Sequence, residues 1–431
     1  MIFFIILIMS ASIFWGWIKE KNIYNPLILF NGFISCISIL ASLQLFGMNP
    51  TSNKTYFVNI LGLVGFLIGV IICDTFYKNN STNIINNEYK KKYILNKNIV
   101  ILAIMIMIIY SSYRFIQIVP LLLSGYSFDY IRMVYFGTEI MGIEVSNISS
   151  VIEIYLNLPL LYAIAPIIVI EIISNKKKAD KKLILLFIIW LSLSILISGG
   201  RTILYIIGME CVICFIIFNK NFKLNTKTKF RISFFIIAAI VFMYYMSINR
   251  KGNGQSYEFL KTLYTNFTGA MPHMSYRFET INIESNYTYG FTLFSGILRP
   301  IMLLYKFVVG VYPEVYQNTL DIGSQLQTAI DLGNNMTFNA YVTPFFYFYY
   351  DLGYIGVLLD SIIYGMVCEW FYIKMKKDYS NINIAFYLLI VQGIFTSMIR
   401  YSFILIYYVL AFIYLRFMFS RNKKKKILLQ R

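Results

Sequence analysis

Hydrophobic residues in this chain come in long blocks rather than alternating with polar ones. By apolar length, eleven helices are predicted near residues 2–18, 26–47, 56–77, 98–123, 148–173, 183–198, 203–218, 232–247, 353–373, 382–397 and 402–418. Most approach the roughly 20 residues that cross a bilayer at about 1.5 Å per residue. The connecting segments alternate in character. Those at 19–25, 78–97, 174–182, 219–231, 374–381 and from 419 onward are rich in lysine. The others are a loop at 124–147, a tight turn at 199–202, a long loop at 248–352 that precedes the ninth helix, and a short turn around Arg400. Within the long loop, Phe291 to Val311 is apolar but broken by Arg299, Pro300 and Lys306, so it is expected to lie at the membrane interface or to dip into it.

Composition agrees with that pattern. At 58% hydrophobic and 13% charged over 431 residues, the chain has too little polar surface for a soluble globule, and the expected fold class is an all-α polytopic integral membrane protein forming a single transmembrane domain, 1–431. Residues 2–18 run into Lys19, Glu20 and Lys21 rather than a small-residue cleavage site, so the first block is expected to stay as a membrane helix. Of the 38 basic residues, 26 fall in the lysine-rich segments. Lysine on the cytoplasmic side places the N-terminus outside and the C-terminus inside, and it accounts for the net charge of +18 without nucleic acid as a partner. The five cysteines all sit in apolar runs and read as small buried hydrophobes. Cys211 and Cys214 form a CxxC, but with a single histidine in the chain no metal site and no cofactor are expected.

The 27 lysines and 11 arginines are distributed differently. Arg114, Arg132, Arg201, Arg250, Arg277, Arg299 and Arg400 fall at the ends of the blocks away from the lysine clusters. Arginines kept outside against the orientation bias suggest an anionic ligand there, because guanidinium forks match phosphate oxygens. Arg201 follows Gly199 and Gly200 between two helices too short to fill the bilayer, which draws it to headgroup depth beside a backbone free to present N–H groups to an anion. Arg250 lies in a second basic, glycine-containing turn. Aromatic residues flank Arg114, Arg277 and Arg400, and aromatic faces suit sugar rings and isoprenoid chains. For proton transfer the candidates are His273, Glu279 and Asp351, and sequence does not choose among them. If 270–280 is helical, His273 and Arg277 share a face. Asp351 has a second reading, as a carboxylate that positions the loop at a helix terminus.

The overall plan, together with Ser198-Gly199-Gly200-Arg201-Thr202, Tyr126-Ser127-Phe128-Asp129-Tyr130-Ile131-Arg132, and Tyr341-Val342-Thr343-Pro344 followed by Tyr350-Asp351-Leu352-Gly353-Tyr354-Ile355-Gly356, resembles the Wzy-type oligosaccharide repeat-unit polymerases of O-antigen and capsule synthesis. Leu352 stands where that family more often has an aromatic residue. The resemblance implies a GT-C-like membrane glycosyltransferase acting on polyprenyl-diphosphate-linked oligosaccharides outside the bacterial cytoplasmic membrane, alongside a chain-length regulator and a flippase. Arg132, Arg201, Arg250, Arg277 and Arg400 would then cradle the diphosphate, and one of His273, Glu279 or Asp351 would act as base. No DxD motif occurs in a predicted outer loop and no GxxxxGK[ST] loop occurs at all, so neither a nucleotide-sugar metal site nor ATP drive is indicated. Two alternatives share the composition: a flippase or exporter of lipid-linked sugars, and an O-antigen ligase-like transferase. A transporter is expected to show internal repeats and charges near the bilayer midplane.

Overall fold

The computed structural model describes residues 1–79, 93–126, 130, 147–174, 179–198, 200, 202–218, 259–284, 286–339 and 341–421. It is predominantly helical. Seven helices are long and apolar enough to cross a membrane: Ile2–Lys19, Asn53–Tyr77, Lys97–Leu121, Ile148–Ser174, Lys181–Ser198, Pro344–Lys377 and Asn381–Met398. A bent pair, Ser295–Val309 with Glu314–Gln327, would make eight if it formed one span, and Pro26–Ser42, Thr202–Phe218 and Ile406–Phe417 are shorter apolar helices. Ten of the eleven expected positions thus hold a helix, while 232–247 lies outside the described residues. The chain is a multi-pass membrane protein by this architecture, with fewer full-length spans among the described residues than apolar length predicted.

The chain forms two compact units, one of residues 1–91 and 260–409, the other of 92–259 and 410–431. In the first unit, α1 (Ile2–Glu20), α2 (Pro26–Ser42) and α3 (Asn53–Asn79) pack with the long helix Pro344–Lys377. Asn25 caps α2, its Oδ1 accepting from Leu27 N at 2.8 Å, with Pro26 in the first helical position where no N–H is needed. Buried Asn31 donates to Ser12 Oγ at 2.8 Å and to the Leu63 carbonyl at 3.3 Å, tying α1, α2 and α3 together. Close approach of α3 to Pro344–Lys377 rests on glycine. A Cβ on Gly65 would meet the Leu358 carbonyl at 2.8 Å, and one on Gly69 would overlap the Ile362 carbonyl. Such small-residue contacts are a common way for membrane helices to pack.

Connecting segments in this unit sort into two sets at opposite ends of the helices. Lys19 pairs with Asp74, Tyr372 donates to Asn22 at 3.0 Å, and the Tyr24 and Tyr379 hydroxyls lie 3.3 Å apart. At the other end, Asn49 N donates to the Leu332 carbonyl at 2.7 Å, Ser52 N to Ser275 Oγ at 2.9 Å, and Val342 N to the Ile399 carbonyl at 3.3 Å. The lysine-rich segments therefore gather together and the other set gathers apart from them, as alternation along the chain requires.

The second unit carries α4 (Lys97–Leu123), a helix with a π turn at Glu153–Asn157 leading into Leu158–Ser174, then Lys181–Ser198 and Thr202–Phe218. Buried Trp190 donates to Asn157 Oδ1 at 3.0 Å. Lys97 Nζ lies 3.4 Å from Glu171 and 3.3 Å from Asp180. Strands Tyr93–Leu95 and Phe419–Arg421 pair antiparallel beside it, so three lysine-rich stretches meet at one end here too.

The described part of the predicted loop at 248–352 is structured rather than plain linker. From residue 259 it is largely helical, with α5 (Phe259–Thr268), α6 (Ala270–Thr280), α7 (Ser295–Val309) and α8 (Glu314–Gln327). The following element, α9 (Pro344–Lys377), is two helical segments joined by a kink at Leu352 and Gly353, the second starting where a helix from 353 was expected and the first adding helix from Pro344. Phe345 to Tyr350 are all buried, so aromatic packing extends the helix where tyrosines lower the hydropathy.

Candidate functional site

Helix α6 brings His273 and Arg277 onto one face, four residues apart, as expected for a helical 270–280. His273 is fully buried (0% exposed), and Arg277 is 6% exposed. The His273 Nδ1 lies 2.7 Å from the Tyr341 carbonyl, which can only accept, so Nδ1 carries the proton. Its Nε2 then accepts from Arg277 Nε at 3.0 Å. Arg277 Nη2 donates to the Thr328 carbonyl at 2.6 Å and to Thr328 Oγ1 at 2.7 Å, just past the end of α8.

Electrostatically this is a buried cation surrounded by neutral acceptors. Among the described residues every salt bridge belongs to a lysine, and none reaches Arg277. The Tyr276 ring faces the guanidinium at 5.4 Å. Burial, and the Arg277 charge beside it, hold His273 well below the usual histidine range, at about 4, against the opposing pull of the Tyr341 carbonyl. A neutral imidazole thus orients the arginine without contributing charge. Among the described residues no carboxylate forms an ion pair with the guanidinium.

The segment that supplies the Tyr341 carbonyl also reaches the turn near Arg400. Val342 N donates to the Ile399 carbonyl, and Thr343 Oγ1 lies 3.3 Å from Met274 Sδ. Residues 341–344, singled out in the sequence, therefore link α6 to the 399–400 turn. Arg400 is half-buried there. Lys54 adds a second cation near α6, its Nζ 5.0 Å from the Phe278 ring centre and 4.8 Å from that of Tyr349.

Asp351 is placed differently. Its Oδ1 accepts from Thr288 Oγ1 at 2.5 Å, Gly290 N at 2.9 Å and Thr292 N at 3.0 Å, and its Oδ2 accepts from Leu293 N at 2.8 Å. These donors form the turn that leads into α7, so the carboxylate secures a helix entry, as its second reading anticipated. The Tyr350 to Gly356 motif acquires a backbone explanation: α9 breaks at Leu352 and Gly353, where Gly353 has φ 60 and ψ −138 and a Cβ would stand 2.9 Å from the Tyr287 hydroxyl. Glu279 lies exposed on α6. Arg132, Arg201 and Arg250 lie outside the described residues. Sequence reading missed Thr328, the Tyr341 carbonyl and Lys54.

No protein-family model, curated protein or solved structure matches this chain.

Proposed function

We propose that this protein polymerises polyprenyl-diphosphate-linked oligosaccharide repeat units at the outer face of the bacterial cytoplasmic membrane. A hydroxyl of a newly arrived lipid-linked unit attacks the anomeric carbon of the growing glycan; the bond to the diphosphate breaks, polyprenyl diphosphate leaves, and the hydroxyl proton passes to a base. This reading expects a GT-C-like glycosyltransferase with eleven membrane helices and the N-terminus outside. The observation that carries it is Arg277, a buried guanidinium oriented by neutral His273 and Thr328 and in no ion pair among the described residues. Such a group suits a leaving diphosphate, on which charge accumulates as the glycosidic bond breaks. Arg132, Arg201, Arg250 and Arg400 are its expected companions. Of the three candidate bases, Glu279 is the one exposed to solvent, whereas both His273 nitrogens and both Asp351 oxygens are engaged.

A transporter is the second reading, because Asp360 and Glu369 are buried within the long helix α9. Purified protein in detergent separates the two, since transport needs two compartments and glycosyl transfer does not. Authenticated lipid-linked repeat units should lengthen without ATP and release polyprenyl diphosphate, with EDTA leaving the rate unchanged. Arg277→Lys, which keeps the charge but loses the fork, should slow growth at least about tenfold, or about 1.4 kcal/mol of transition-state stabilisation. Translocation across liposomes without chain growth would overturn the enzyme assignment.

A further inference from the structure

Helix α7 (Ser295–Val309) is held at its beginning and uncovered over the rest of its length. Of its fifteen residues, Ser295 and Gly296 are the buried ones. Gly296 packs on the backbone of Phe403 and Leu405, and the turn just before the helix hangs on Asp351. Beyond that anchor Leu298, Arg299 and Met302 are half-buried, while Ile297 is 51%, Leu304 68%, Val308 82% and Phe307 90% exposed.

The exposed residues are not randomly placed. At about 100° per residue, Ile297, Ile301, Leu304 and Val308 fall within about 60° of one another, and Phe307 borders the same stripe. Arg299 and Lys306 fall roughly 180° away on the opposite side. Lys306 turns towards the Tyr312 ring, 4.6 Å from its centre. An apolar stripe opposite two cations matches a lipid–water boundary, with acyl chains on one side and phosphate groups on the other.

Length and direction argue against a crossing. The helix is about 22 Å long at 1.5 Å per residue, against roughly 30 Å of hydrocarbon. After Gly310 the chain bends by 119° into α8. That helix carries Glu314 and Asp321 and buries Tyr316, Thr319, Ile322 and Leu326. Continuing the pair through the bilayer would immerse those carboxylates and strip a packed face.

We infer that α7 lies in the plane of the membrane interface, with Ile297, Ile301, Leu304 and Val308 among the acyl chains and Arg299 and Lys306 at headgroup level. The inference does not depend on which reaction the protein performs. It has a consequence for any reaction, because a helix fixed to the lipid surface and tied through Asp351 to α9 sets the depth of that region against the phosphate layer.

Spin labels read this directly. In the full chain with its five native cysteines replaced, single cysteines are placed at positions 297 to 309, labelled with a nitroxide and reconstituted into vesicles of phosphatidylethanolamine and phosphatidylglycerol. Collision with oxygen relative to a water-soluble nickel chelate should oscillate with the helical period, highest at 297, 301, 304 and 308 and lowest at 299 and 306, about a constant mean. A steady ramp in depth from 297 to 309 would make α7 a span or re-entrant arm and overturn the inference. Low collision with both reagents along the stripe would place a protein there, a second copy of the chain for instance, and would overturn it equally.

Discussion

Because His273 is the single histidine of the chain, its protonation can be read without assignment and without mutation. Protonating it would set a second N–H against Arg277 Nε, now 3.0 Å away, and would place two positive charges together in a buried site. Its folded value of about 4 compares with about 6.5 for a free imidazole. The sign follows from linkage: the unfolded chain binds the proton more tightly, so the stabilisation is fully present above about pH 6.5 and is lost as the pH falls towards 4. At about 1.36 kcal/mol per pH unit, lowering the pH from 7 to 5 removes about 2 kcal/mol, and the full loss below pH 4 is on the order of 3 kcal/mol.

Protein labelled with ¹⁵N-histidine and purified through a histidine-free tag should show one imidazole, protonated at Nδ1, unchanged from pH 8 to pH 5.5. His273→Gln keeps a donor and an acceptor but cannot titrate. Wild type should therefore lose about 2 kcal/mol more stability than this variant between pH 7 and pH 5, by thermal unfolding in detergent. A titration midpoint near 6.5, or parallel pH dependence in the two proteins, would refute the buried neutral clasp and with it the orientation claimed for Arg277.

Other tests address the frame around the site. Asp351→Ala leaves the N–H groups of Gly290, Thr292 and Leu293 without their acceptor; at about 1–3 kcal/mol for each buried donor it should destabilise by at least about 3 kcal/mol, seen as a lower melting temperature in detergent. Gly69→Ala sets a methyl group against the Ile362 carbonyl and should depress folded yield by size-exclusion chromatography, whereas Gly32→Ala, with open space around it, should not. Cysteines at Asn253, Ser285 and Asn334 should react with an impermeant thiol reagent on intact spheroplasts while those at Asn86 and Ala179 stay silent; the reverse pattern would invert the topology.

What sequence made legible here was whatever depends on short range. Apolar length located helices because hydrocarbon thickness sets it, and the four-residue spacing of His273 and Arg277 put them on one face. The helix expected from 353 starts at the kink of α9, but the helical segment before it was missed because Tyr347, Tyr349 and Tyr350 look amphipathic one at a time, although Thr343-Pro344 already carried the signature of a helix start. Glycines 62, 65 and 69 also stood in plain view at helix-packing spacing, and only the partner helix gives them meaning. Thr328 offers no comparable signal. It lies 51 residues from Arg277, and only the fold of α8 brings it there.

The separate use of lysine and arginine survives the move from sequence to structure in a form that bears on function. Among the described residues the ion pairs are Lys19 with Asp74 and Lys97 with Glu171 and Asp180, all at the lysine-rich ends of their units. Those lysines answer internal acids. Arg277 is buried at the other end, held by a neutral ring and a threonine, and a carboxylate there would be the cheaper partner if burial were its only purpose. Under the proposed function, withholding one would leave the positive potential to the leaving diphosphate. The neutral histidine beside it would serve the same end: a second fixed cation would repel Arg277 whenever the diphosphate was absent, while an imidazole that only accepts would hold the guanidinium in place through binding and release alike.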